Sequence, residues 1–257
     1  MSDAALLGVQ VRATNKAFWR NPASAFFTFA FPLMFLVIFT ALLGSGEVEV
    51  TAGVVIQQDT YYVAAMAAFS VITATYTNLA IGVAFIRDQG ILKRTRGTPL
   101  PGGIYLSARV VHAVLIALLL VLITSAFGIA FYDAETPSGV GLWQLLASVV
   151  VGAMAFSALG LATTAIIPNA DAAPAVVNAI ILPLLFLSGI FIPLGPDAPE
   201  WMKVIGNIFP VKHFAEAMLG AFVGVPPFEW SDVLVVAAWG VAGLLAAVKF
   251  FSWEPRR

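Results

Sequence analysis

The sequence of 257 residues is 60% hydrophobic and 11% charged, and its net charge is −1. A soluble domain carries roughly 25% charged residues, so these charges cannot cover a globule in water and lipid must bathe much of the surface, which excludes an ordinary soluble fold. Cysteine is absent, which excludes disulfides and thiol chemistry.

The first element, within 1–23, reads as an amphipathic helix over 6–20. Arg12, Lys16 and Arg20 recur at i, i+4 and i+8, while Leu6, Leu7, Val11, Ala17 and Phe18 occupy another arc. Such a helix lies in the membrane interface with its basic side toward headgroups or a partner.

Six segments then meet the need for about 20 apolar residues per spanning helix. They cover 24–44, 61–86, 110–131, 143–167, 175–194 and 233–251. The fold class is therefore an all-α integral membrane protein of six transmembrane helices in a single domain. Pro32 and Pro183 fall inside spans, where neighbouring helices tolerate a kink. The first span is too long, and starts too late, for a cleaved signal peptide.

Orientation follows from the loops. Arg12, Lys16 and Arg20, then Arg87, Lys93, Arg94, Arg96 and Arg109, then Lys249, Arg256 and Arg257 all fall on one side. The other side has Lys203 and Lys212 and most of the acids, including Asp197, Glu216 and Asp232. The positive-inside rule makes both termini cytoplasmic.

The cytoplasmic connection over 87–109 is more than a turn. Gln89 to Arg96 can form a short helix, with Ile91 and Leu92 on one side and Lys93, Arg94 and Arg96 on the other. Gly97 then ends it, and Thr98 with Pro99 starts a new direction. The second cytoplasmic turn, 168–174, holds Asn169 and Asp171, and Asp171 is placed to cap span five. The external segment 195–232 is apolar but broken by Pro196, Pro199, Pro210, Pro226 and Pro227. Short re-entrant helices dipping into the outer leaflet fit it, with Trp201 and Trp230 at headgroup level.

Polar side chains inside the spans are candidates for a translocation path. Ser70, Thr73 and Thr77 share one face of span two with Asn78 beside it, and span five carries Asn178 and Ser188. Hydrogen bonding between helices explains them equally well. No span has a central carboxylate or Arg, which weighs against an ion-coupled secondary transporter, the main alternative. Ser188-Gly189 with His213 is a poor serine-hydrolase site, because Phe186 stands where a rhomboid has Gly and His213 lies outside the spans. No Asp/Glu/His group has metal-ligand spacing, and no GxxxxGK[ST] phosphate loop exists.

The run Arg87-Asp88, Gly90, Leu92, Lys93-Arg94, Thr98-Pro99 and Arg109 resembles the cytoplasmic loop of ABC-2 type transporter permeases, in the daunorubicin-resistance-like branch of bacterial drug and antibiotic exporters. Ile91 stands where Thr is common. The amphipathic N-terminal helix, the six spans, "LPLLFLSGIFIPL" and "FPVKHFAEA" extend the resemblance over essentially the whole chain.

The resemblance implies a multi-pass permease of the bacterial inner membrane, paired with a second copy of itself and with a separate ATPase subunit that binds ATP and Mg. Arg87, Asp88, Gln89, Gly90, Ile91, Leu92, Lys93, Arg94, Arg96, Thr98 and Pro99 would form the coupling element. Arg12, Lys16 and Arg20 would add a second contact, and Asn169 and Asp171 a minor third. Phe186 and Phe191 would sit at a dimer seam or outer gate. The chain itself would hold no cofactor, metal, catalytic residue or nucleic acid. The cargo would be an apolar or amphiphilic drug, antibiotic or lipid, with a polysaccharide precursor as the alternative within the same class.

Overall fold

In lipid an apolar chain must pair its own backbone amides, and a helix does so within one segment. The computed structural model follows that rule. It describes residues 2–43, 46–51, 54–135, 137–195, 198–224 and 228–254. Pro196, Asp197, Pro226, Pro227, Arg256 and Arg257 lie outside the described residues.

Helix α1 (Asp3–Trp19) starts at Ser2, whose hydroxyl accepts from the amide of Ala5. Helix α2 (Pro22–Leu43) leads to a hairpin of β1 (Glu47–Thr51) and β2 (Val54–Gln57), antiparallel with Val48 opposite Ile56. This hairpin is not among the sequence expectations, although "EVEV" does alternate with the period of a strand. Helix α3 (Gln58–Ile72), a π-helical segment (Thr73–Thr77) and α4 (Asn78–Asp88) run on without a break. Helix α5 (Ile91–Arg96) is short, and α6 (Gly102–Tyr132) and α7 (Val140–Thr163) are long. Then come α8 (Ala173–Phe186), α9 (Glu200–Ile208), α10 (Pro210–Val223) and α11 (Trp230–Phe250).

Five of these helical runs are long and apolar enough to cross a membrane, and α8 is a shorter apolar helix. The expected fifth span therefore differs from the observed one. Helix α8 ends at Phe186 rather than reaching Leu194, and its 14 residues rise only about 21 Å. The stop has a local cause. The Ser188 hydroxyl donates to the carbonyl of Leu185, and Gly189 takes a left-handed φ of +84° that a helix cannot continue. The path still runs from end to end. Residue 170, before α8, bonds to Asp88 at the end of α4, and Gly189, after it, bonds to Tyr61 at the start of α3.

The bundle thus has two ends. One holds α1, α5 and the described C-terminal residues, and the other holds the hairpin, α9 and α10. Helix α11 packs closely on α7 because Gly240 lies against Ala155 and Gly243 against Leu159. Small residues let helix backbones approach where no hydrophobic drive operates between them. Gly160 of α7 does the same against the π segment, where an added Cβ would stand 2.8 Å from the carbonyl of Tyr76. The hydroxyls of Thr73 and Thr75 donate back to the carbonyls of Phe69 and Val71.

The corner between α9 and α10 lies against α11 part-way along its length. The Trp239 indole donates to the carbonyl of Ile208 at 3.0 Å and its ring stacks on Phe209. Trp239 lies nine residues into α11, about 13 Å from its start. Phe214 sits against Gly152, deep along α7, whereas Ala221 reaches Gly141 near its start. Pro210 at the first turn of α10 lacks the amide that a helix start leaves unpaired anyway.

Candidate coupling element and cavities

The connection over 87–109 separates into an anchored part and an exposed part. The Arg87 side chain is 1% exposed and donates to the carbonyls of Thr164 at 2.8 Å and Ile167 at 2.7 Å. It satisfies acceptors that the C-terminal end of α7 leaves open. The Asp88 carboxylate accepts from the amide of Ala170 at 2.7 Å. Gly90 then takes a φ of +69°, turning the chain into α5. Leu92, fully buried, packs into a small apolar cluster with Leu79, Val83, Leu161 and Ala247.

Gln89, Lys93, Arg94, Arg96, Thr98 and Pro99 are exposed, and Ile91 is half-buried. Lys93 approaches Glu254 at 3.9 Å, an exposed pair of small energetic worth. Arg94 donates to the carbonyl of Gln89, and the Thr98 hydroxyl to that of Thr95. Gly102 presses on the Trp253 ring, closing the loop onto the C-terminal residues. A short basic helix is thereby held at one end by buried side chains and left free on its outer face.

The neighbouring turn differs from expectation in one detail. The Asn169 side-chain Oδ1, not Asp171, accepts from the amide of Ala172, and Asp171 is exposed. Along α1, Arg12, Lys16 and Arg20 are exposed, while Leu6, Leu7, Val11 and Phe18 are half-buried on the side facing α6.

The proposed path residues do not share one cavity within a single chain. Ser70 is buried and donates to the carbonyl of Ala67, and Thr73 donates to its own helix. Thr77 is half-buried, and Asn178 is exposed on α8. Phe191 is buried in an aromatic cluster with Phe35, Phe39, Phe69 and Phe186, and Phe186 is half exposed. Ser188 lines a cavity of about 260 Å³ at the hairpin end, with Tyr61, Lys203, Lys212 and Glu216. Asn78 lines a separate cavity of about 350 Å³ at the opposite end, with Arg109 and His112.

Beside the first cavity the structure assembles a group whose third member, Asp232, comes from another helix, although His213 and Glu216 already stand at i, i+3 on α10. His213, Glu216 and Asp232 bring ligating atoms within 4.8 Å of one another. His213 Nδ1 lies 2.6 Å from Asp232 and Nε2 lies 3.0 Å from the carbonyl of Asn207. Both partners are acceptors, an arrangement that favours donation from both ring nitrogens and hence the imidazolium form. Burial pulls the His213 pKa down. The bonds to Asp232 and Asn207 and the charges of Asp232 and Glu216 outweigh it, and the net shift is upward. Burial raises the Glu216 pKa, against the opposing pull of Lys212 at 3.5 Å. The His213–Asp232 bond thus ties α10 to α11 at this trio, with the Lys212–Glu216 pair of α10 beside it.

Comparison with known proteins agrees with this architecture. Residues 6–223 match the model of the ABC-2 type transporter family. The chain is 27% identical over 238 residues to a Bacillus subtilis (strain 168) protein described as "Putative transport permease YvfS", covering 91% of this chain and 92% of that one. Multiple apolar helices, a basic N-terminal helix and a short basic helix between the second and third runs accompany that match, and the chain belongs to the ABC-2 type transporter family.

Proposed function

We propose that the chain is the membrane subunit of an exporter driven by ATP that a separate subunit binds with Mg and hydrolyses. The observation that carries this reading is α5, whose Lys93, Arg94 and Arg96 are exposed on a helix seated by Arg87, Asp88 and Leu92. Buried charge-assisted bonds make such an element a rigid lever, because displacing it strands the carbonyls of Thr164 and Ile167. A push on α5 therefore reaches α4 and the end of α7 together. In this reading Gln89 to Pro99 meet the ATPase, with Arg87 and Asp88 as positioning residues. The exposed stripe of α1 and the Asn169–Asp171 turn lie at the same end and supply the flanking contacts. Both termini are cytoplasmic in the bacterial inner membrane, and α9 and α10 re-enter the outer leaflet. Two copies of the chain join to build the path, since neither cavity of one copy runs from end to end.

The cargo is an apolar or amphiphilic compound, a drug, an antibiotic or a lipid. Among the described residues the charged side chains of the spanning helices lie near their ends, which suits such cargo better than ion coupling. The test is co-purification. The chain expressed with its genomic neighbours and captured in mild detergent retains a cassette ATPase, and the chain alone hydrolyses no ATP. ATP hydrolysis by the isolated chain, or export that continues without any ATPase subunit, overturns the reading.

A further inference from the structure

The cavity of about 350 Å³ at the terminus end is bounded by α1, the π segment with α4, and α6. Its lining is partly apolar, with Phe18 and Ile116 among its walls. Arg109 and His112, one turn apart on the same face of α6 as Ile116, also line it, as does Asn78. The His112 ring is 9% exposed and meets Phe18 edge-on, and its Nδ1 has no hydrogen-bond partner among the described residues. Arg109 donates one N–H to the Tyr105 hydroxyl at 3.1 Å and lies over that ring, but its buried Nε is unpartnered. No carboxylate among the described residues lines the cavity or pairs with Arg109. Arg109 brings a positive charge to a partly apolar space beside the buried His112 ring, and no carboxylate among the described residues offsets it, so an anionic group in the cavity would gain a charge-assisted partner.

We propose that this cavity binds an amphiphile with one anionic head, a carboxylate or a phosphate. The head sits on Arg109 and His112, and the apolar chain lies along α1 and Ile116. Helix α1 covers the cavity and keeps its basic stripe on the outer face, so the stripe and the site are separate positive features. Either a membrane phospholipid or a single-chain anionic cargo offers this chemistry. Binding is read without an ATPase, so its failure is distinct from failure of the export reading.

The test uses the full chain in phosphatidylcholine nanodiscs with diazirine probes. These are a fatty acid, a phosphatidic acid, and the matching neutral alcohol and diacylglycerol. The expected result is at least fivefold stronger labelling of residues 14–18 and 109–116 by the anionic probes. Arg109→Gln abolishes that preference and Arg109→Lys keeps most of it. Arg12→Gln with Lys16→Gln leaves it intact. An added Cβ at Gly82, on the cavity wall, meets nothing within 4 Å, so Gly82→Leu can enter the space without a clash at its first carbon. It lowers anionic labelling at unchanged thermal stability, which keeps the test valid if Arg109→Gln misfolds. Competition between unlabelled phosphatidic acid and fatty acid assigns the source. Equal labelling by neutral and anionic probes overturns the proposal. So does a preference that survives Arg109→Gln or Gly82→Leu, or one lost only with the stripe.

Discussion

The guanidinium of Arg87 donates to the backbone carbonyl of Thr164 at 2.8 Å, joining the end of α4 to the end of α7 across 77 residues of sequence. Together with its bond to Ile167 this makes Arg87 a structural clasp beneath the exposed basic helix. A bond to a charged group is worth about 1.5–3 kcal/mol. Arg87→Ala should therefore destabilise the chain by about 3 kcal/mol or more, since two carbonyls lose their donor. Arg87→Lys should fall between, because an ammonium lacks the planar fork that spans both acceptors. Thermal unfolding in detergent measures this, and a melting point within about 2 °C of the parent would deny the clasp.

Charge reversal on the outer face should separate docking from folding. Arg94 and Arg96 are exposed, so Arg94→Glu with Arg96→Glu should change stability by no more than about 0.5 kcal/mol per site. If α5 is the proposed ATPase contact, the same pair should abolish capture of that subunit and export. Leu92→Ala should do the reverse at the level of the fold, costing about 2–5 kcal/mol as a buried truncation. Full export by the double reversal would reduce α5 to an orientation signal.

The His213–Asp232 tie should make stability fall as pH rises. The His213 pKa is raised in the folded chain. Its contribution is then fully present below the unfolded value of about 6.5 and is lost as pH climbs through the higher folded value. The raised Glu216 acts in the same direction from a lower starting pH, because the folded chain holds that proton longer. Melting curves at stepped pH should show this decline, and His213→Gln should remove the portion above about pH 6.5. A parent curve that stays flat or rises across that range would refute the imidazolium.

Gly160→Val should unseat the π segment. Its first added carbon would stand 2.8 Å from the Tyr76 carbonyl, a backbone atom that cannot rotate away. Overpacking of this kind costs about 1–3 kcal/mol. Gly103→Val, where an added Cβ meets nothing within 4 Å, is the matched control. Equal melting points for the two variants would mean that α7 and the π segment separate freely.

Scarcity of charge and the length of the apolar runs determined the membrane class, most span positions and the amphipathic character of α1, because lipid constrains composition directly. The Gly97 and Pro99 break after α5 was legible too, since turn chemistry is local, but the left-handed Gly90 starts that helix at Ile91 rather than Gln89. The early stop of α8 was less so, because Ser188 and Gly189 interrupt an apolar run without lowering its hydropathy. The surroundings of the charged residues were decided only by the tertiary structure. Arg87 and Arg94 look alike in sequence, yet one is buried against the end of α7 and the other faces outward. His213 and Asp232 meet across 19 residues because the α9–α10 corner tucks beside Trp239. Asn78, Arg109 and His112 face one cavity only because α1 folds back over α6. Local pattern reports which solvent a segment prefers, whereas a shared site depends on long-range packing that places distant side chains within a few ångströms of each other.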